Sequence, residues 1–159
     1  FIDQEGGRVQ RLGPPSADWR KYPSARAFGD LYAKNPLAAL RAARHAGRLM
    51  AEDLIDIGIT ADCLPVLDVP QQGAHDVIGN RAYSLHIEQV MALARAHTAG
   101  LMDGGVLPVM KHIPGHGRAE VDSHHALPVV NARRQDLERF QELDQGVFAL
   151  VREGFKGLA

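Results

Sequence analysis

The chain has 159 residues, with 18 basic and 19 acidic side chains and a formal net charge of -1. Hydrophobic residues make up 45% and charged residues 23%, ordinary usage that excludes a disordered or collagen-like chain and points to a single domain. A balanced charge without a basic run leaves no footprint for nucleic acid, and no apolar stretch approaches the roughly 20 residues of a membrane helix. Cys63 is the one cysteine, so an internal disulfide and a cysteine-based zinc cluster are excluded and a reducing compartment is favoured.

Phe1-Ile2-Asp3 reads as the end of a strand, turned by Gly6-Gly7, a pair suited to backbone that other residues avoid. Residues 13–24 carry Gly13, Pro14, Pro15 and Pro23 and read as a loop. Over 36–57, Leu37, Leu40, Ala43, Gly47, Met50, Leu54 and Ile57 recur every three or four positions, which predicts an amphipathic helix. Pro36 suits its first turn and Gly58 its stop. The apolar run Ile59 to Val69 reads as a buried strand. A polar loop over 70–84, a second helix over 86–103 and a short strand from Val106 to Met110 follow. The loop 111–133 leads to a third helix over 134–153, stopped by Gly154, with Leu158-Ala159 opening another strand.

Alternating strands and helices imply an α/β fold with a parallel sheet. A doubly wound sheet and a (β/α) barrel both fit, and no G-x-G-x-x-G follows a strand to mark a dinucleotide fold. The polar clusters Asp3 to Arg11, Asp68 to Arg81 and Lys111 to His125 all follow strand C-termini, where active-site loops lie in either architecture. The densest cluster places Lys111, His112, His116, Asp122, His124 and His125 within fifteen positions. Metal binding is one reading, but the spacing matches no standard zinc pattern, and Pro114 with its neighbouring glycines breaks any helix that would align two histidines. Proton transfer is the second: Asp122 and His124 share a face if extended, so the carboxylate is able to orient the imidazole as a general acid/base. Turn hydrogen bonding alone is the third.

The segments Asp3-Gln4-Glu5-Gly6-Gly7-Arg8-Val9-Gln10-Arg11, Leu64-Pro65-Val66-Leu67-Asp68-Val69, Ile78-Gly79-Asn80-Arg81 and Lys111-His112-Ile113-Pro114-Gly115-His116-Gly117 with Asp122-Ser123-His124 resemble the family 3 glycoside hydrolases. The resemblance is to their β-N-acetylglucosaminidase branch, which trims muropeptides in bacterial peptidoglycan recycling. It implies part of a (β/α)8 TIM barrel, here about three βα units, with its site at the C-terminal face. It implies His124 as acid/base with Asp122 as its partner, and Asp3, Arg11, Arg81, Lys111 and His112 as the substrate-binding set. Asp3 would accept from sugar hydroxyls, while Arg81, Lys111 and His112 would donate. It further implies a small carbohydrate or muropeptide substrate, no metal or organic cofactor, and a bacterial cytoplasmic location.

Each assignment has a plainer alternative. Asp3 caps a turn, Arg11 is a solvated surface arginine, and Arg81 pairs with Asp76 or Glu88. Asp68 satisfies loop amides, His116 and His125 shape their loop, and Glu5 and Arg8 hold the first loop together. The branch's nucleophilic aspartate, carried after a late strand, has no counterpart here: after Asp122 the acidic residues Asp136, Glu138, Glu142, Asp144 and Glu153 all fall on the third helix. A closed barrel takes about 250 residues. The chain therefore reads as the central portion of one TIM-barrel catalytic domain, truncated at both ends. A non-catalytic N-acetylglucosamine-binding fragment, a related β-glucosidase or phosphorylase, and a metal-dependent hydrolase are the rival functions.

Overall fold

Two apolar residues, Phe1 and Ile2, precede the polar Asp3-Gln4-Glu5 at the start of the chain, and Gln4 to Gly6 are extended. A computed structural model describes residues 1–15, 18–71, 76–113, 115–121, 127, 129 and 135. Strand β1 (Gln4–Gly6) turns back into β2 (Val9–Gln10) as an antiparallel hairpin. Gly6 and Gly7 make the turn at φ 83° and 60°, in the region where a side chain is strained. The predicted strand end at Phe1 to Asp3 is present as a parallel bridge from Ile2 to Asp62.

Two further strands run parallel, β3 (Ala61–Asp62) and β4 (Leu107–Pro108), with Asp62 opposite Pro108. The order across the described segments is Ile2, β3, β4, so β3 is central. Pro108 is tolerated because the amides of Leu107 and Val109, on either side of it, donate to the Thr60 and Asp62 carbonyls at 2.8 Å each; its missing N–H lies on the other edge. The predicted strand Ile59 to Val69 is regular only at β3 and resumes as a single bridge from Val66 to Lys111. Pro65 between them has no amide to give the ladder.

Helix α2 (Pro36–Ile55) starts where predicted, with the Asn35 side chain accepting from the Ala38 amide at 3.0 Å and Pro36 in the first turn. Gly58, at φ 79°, ends it, and the Ile59 amide returns to the Leu54 carbonyl at 2.9 Å. The buried stripe runs Ala39, Ala43, Ala46, Gly47, Met50, Ala51 and Leu54. Leu37 and Ile57, expected on that stripe, are exposed because they stand at and beyond the helix ends. Helix α3 (Ile87–Asp103) buries Val90, Leu93, Ala94, His97, Gly100 and Leu101. Each fully buried Leu or Val contributes roughly 1.5–3 kcal/mol.

Small residues bring α2 and α3 into backbone contact. A Cβ at Gly100 would lie 2.0 Å from the Arg44 carbonyl oxygen. Helix α1 (Ala25–Tyr32) was not foreseen. It is short and carries Gly29 at its middle, a poor helix former. That glycine is required by a neighbour: a Cβ there would fall 1.8 Å from the Tyr83 carbonyl oxygen. The helices cover the parallel segments through two apolar clusters, one joining Phe28, Ala43, Leu67, Tyr83 and Leu93, the other Tyr22, Met50, Leu54, Leu64, Leu101 and Val106. The described residues thus form an α/β arrangement with parallel strands, as the alternation predicts. The third predicted helix, over 134–153, falls outside the described residues except for the helical Gln135.

Candidate active site

Side chains alternate across an extended strand, so Asp3 and Glu5 face one way and Gln4 the other. Gln4 is buried, and its amide clasps the Leu12 backbone, donating to the carbonyl at 2.7 Å and accepting from the N–H at 3.0 Å. That clasp closes the hairpin and sets Asp3 and Glu5 towards Lys111, which follows β4. Lys111 Nζ lies 2.7 Å from Asp3 Oδ1 and 2.5 Å from Glu5 Oε1. An ammonium has three donors, of which Asp3 and Glu5 take two among the described residues. The hydrogen bond from Lys111 holds the Asp3 carboxyl below its ordinary value.

Arg81 enters from a 3-10 turn, Gly79–Arg81. It grips Glu5 with two parallel bonds, Nε to Oε2 at 2.9 Å and Nη2 to Oε1 at 2.8 Å, the strong fork geometry of arginine and carboxylate. Arg81 Nη1 also donates to the Val77 carbonyl at 3.2 Å. The plainer alternative for Arg81 named the wrong carboxylate: its partner is Glu5, while Asp76 takes Arg8 at 3.0 Å. Glu5 does hold the loop, but as the shared counter-ion of Lys111 and Arg81. A D-x-E pattern on an extended strand was the available signal for it.

His112 stands beside Arg81, with Nε2 3.4 Å from Arg81 Nη2, and its Nδ1 lies 2.5 Å from Asp68 Oδ2. The other Asp68 oxygen accepts from the His116 amide at 2.5 Å. Asp68 thus satisfies a loop amide, as the plainer reading held, and a ring nitrogen besides. A guanidinium only donates, so the Nε2 facing it is an acceptor and the ring proton is assigned to Nδ1. For the neutral ring this leaves Nε2 as an acceptor, whereas the resemblance implies that His112 donates to sugar hydroxyls. The peptide bond between Lys111 and His112 is cis.

Arg11 sits at the rim, its side chain 61% exposed and 3.4 Å from Asp3 Oδ2. The structure therefore brings Asp3, Arg81, Lys111 and His112 together through Glu5 and Asp68, and leaves Arg11 at the edge. Asp122 and His124, the expected acid/base pair, and His125 lie outside the described residues. Behind the cluster, Asp62 is fully buried on β3. Its Oδ1 accepts from the Gln4 amide at 2.9 Å, and Oδ2 has no partner among the described residues. Burial raises its pKa to about 7. Among the described residues, no group of three or more His, Cys, Asp or Glu side chains is arranged to hold a metal, and no helix is long and apolar enough to cross a membrane.

Charged and hydrogen-bonding side chains from three parallel chain segments converge just past their C-terminal ends, the position of ligand sites in α/β enzymes. The chain belongs to glycosyl hydrolase family 3: the profile of the "Glycosyl hydrolase family 3 N terminal domain" matches residues 1–151. A beta-hexosaminidase from Bordetella avium is 41% identical over 136 residues, covering 86% of this chain and 38% of the relative. One from Methylococcus capsulatus is 40% identical over 158 residues, covering 99% and 44% respectively. The native structure of NagZ from Neisseria gonorrhoeae superposes with a TM-score of 0.79 at 38% identity, over 95% of this chain and 41% of that one. A second structure of that protein, in complex with N-trifluoroacetyl-D-glucosamine, gives 0.78 at 39% identity, covering 87% of this chain and 40% of that one. The chain spans about two fifths of the length of these relatives.

Proposed function

We propose that the protein is a retaining β-N-acetylglucosaminidase and that this chain supplies the central portion of its (β/α)8 barrel. The observation that carries this reading is the cluster of Asp3, Glu5, Arg81, Lys111 and His112 at the strand ends. It offers a carboxylate acceptor, an ammonium donor and an imidazole acceptor within one small area, a set suited to a ring of sugar hydroxyls. The naming of relatives as beta-hexosaminidases, and the N-trifluoroacetyl-D-glucosamine bound by a similar protein, support the choice of N-acetylglucosamine.

In this reading Asp3, Arg81, Lys111 and His112 orient the terminal sugar, with Arg11 at the rim. His124, held by Asp122, protonates the leaving oxygen while an aspartate from outside this chain attacks the anomeric carbon. His124 then removes a proton from water, which releases the sugar and regenerates the carboxylate. The substrate is a small carbohydrate or muropeptide, and the setting is the bacterial cytoplasm. The test is hydrolysis of an aryl β-N-acetylglucosaminide by the full-length protein. His124→Ala should lower kcat by roughly 10²-fold or more, the scale of a general acid/base contribution. Unchanged turnover would overturn the assignment.

A further inference from the structure

Asp68 is not one of the expected sugar-binding residues, yet its placement determines what His112 offers a ligand. Its carboxylate is fully buried and uses both oxygens, one on the His116 amide and one on His112 Nδ1, each at 2.5 Å. The His112 side chain is 35% exposed, with Nε2 on the side of Arg81. Two constraints meet on this ring. A carboxylate accepts, so Nδ1 carries the proton; a guanidinium donates, so Nε2 carries the lone pair. Either alone would select the same tautomer.

We propose that Asp68 is a positioning residue that locks His112 in its Nδ1–H form, so that the single lone pair on Nε2 accepts from a substrate hydroxyl, which displaces the long 3.4 Å contact from Arg81 Nη2 while that nitrogen keeps its bond to Glu5. Lys111 and His112 are neighbours in sequence but play opposite parts. Lys111 donates its remaining N–H to one hydroxyl oxygen, and His112 accepts the O–H of another. Adjacent hydroxyls on a pyranose present such a donor–acceptor pair, and a site with two donors would leave an O–H unmatched. An unmatched buried hydroxyl weakens binding, so the tautomer contributes to selecting the sugar. The inference rests on the glycosidase reading of the same site.

Asp68→Asn separates the two tasks of the carboxylate. The amide oxygen still accepts from the His116 N–H. The amide nitrogen, placed against Nδ1, forces the proton to Nε2, where it opposes the Arg81 N–H. The experiment uses the full-length protein with 15N-labelled histidine. The imidazole nitrogens of His112, identified by their loss in His112→Gln, should report the Nδ1–H tautomer in the parent and Nε2–H in Asp68→Asn. N-acetylglucosamine, used as the probe in calorimetry, should bind about tenfold more weakly to Asp68→Asn, the scale of one lost hydrogen bond. In a His112→Gln background, the same Asp68→Asn change should cost less than about twofold, because the glutamine oxygen accepts without help.

An Nε2–H tautomer in the parent protein overturns the inference whether or not the variants fold. An equal loss from Asp68→Asn in both backgrounds also overturns it, since Asp68 would then act through the loop. An Nδ1–H ring in a protein that binds no N-acetylglucosamine upholds Asp68's hold on His112 and overturns the glycosidase reading.

Discussion

The helix-packed side of the molecule and the strand-end cluster both bury polar groups, by opposite means. On α3, against α2, His97 is 1% exposed, with Phe28 edge-on at a centroid distance of 5.7 Å. Its Nδ1 shares a 3.0 Å hydrogen bond with the Tyr83 hydroxyl, and burial lowers its pKa to about 4. At the strand ends, Glu5 is 4% exposed but is met by Arg81 and Lys111. Desolvation without a counter-charge disfavours the charged form of a buried group; two cations within hydrogen-bonding distance offset that cost. Asp62 lies between these regimes, buried like His97 but close enough to the ionic cluster to feel Lys111, Glu5 and Asp3.

The largest effect should come from removing the shared counter-ion. Glu5→Ala strands the Arg81 guanidinium and leaves Lys111 with Asp3 alone, and urea unfolding should show a loss of about 3–5 kcal/mol. A loss under about 1 kcal/mol would mean that the cations are already solvated, and the contrast between the two regions would fall. On the helical side, Gly100→Ala places a methyl 2.0 Å from the Arg44 carbonyl oxygen. It should destabilise by about 1–3 kcal/mol, although alanine is intrinsically favoured over glycine in helices by about 1 kcal/mol. A rise in Tm would show that α2 and α3 part without penalty.

Asp62 sharpens the comparison through pH. Its native pKa of about 7 lies above its ordinary 3.8, so the native state binds the proton more tightly than the unfolded chain. The stability this contributes is complete below about pH 4, declines as pH rises towards 7, and is gone above that. Asp62→Asn should therefore be more stable than the parent at pH 8, by roughly 1–3 kcal/mol, with the difference vanishing near pH 4. His97 has the reverse sign: its native pKa of about 4 lies below its ordinary 6.5, so stability present above pH 6.5 is lost on acidification towards 4. In the parent the two slopes oppose each other. In Asp62→Asn, chemical unfolding between pH 4 and 6.5 should show stability rising with pH from this pair of groups; an unchanged profile would count against a buried, proton-holding Asp62. The smallest effect is at the rim. Arg11→Ala removes a 61% exposed partner held at 3.4 Å, and stability should move by less than about 0.5 kcal/mol, leaving weaker binding of N-acetylglucosamine as its measurable consequence.

Much of the fold was legible in local pattern. The three-and-four spacing located α2, Pro36 and Gly58 bounded it, and short apolar runs located β3 and β4. Helix α1 was not legible, because Gly29 weakens its local signal and answers to the Tyr83 carbonyl, 54 positions away in the chain. The polar clusters after strands marked where a site would be, and the D-Q-E-G-G-R and K-H-x-P-G-H-G segments marked its kind. They did not reveal that Arg81 grips Glu5, that Asp76 belongs to Arg8, or that Asp68 reaches His112.

The sequence by itself determined the periodic elements, their stops and the residue types gathered at the strand ends, because these follow from dihedral preference and from burial repeating along a single segment. Partnership among charges was decided only by the tertiary structure. Arg81 and Glu5 are 76 positions apart, and His112 and Asp68 are 44 apart. Whether a buried carboxylate meets a guanidinium, an imidazole or nothing depends on which strand ends the parallel register sets side by side. That register is a property of the assembled strands, and it makes Glu5 a shared counter-ion, Asp68 a hold on His112, and Asp62 a carboxyl with one oxygen unpartnered among the described residues.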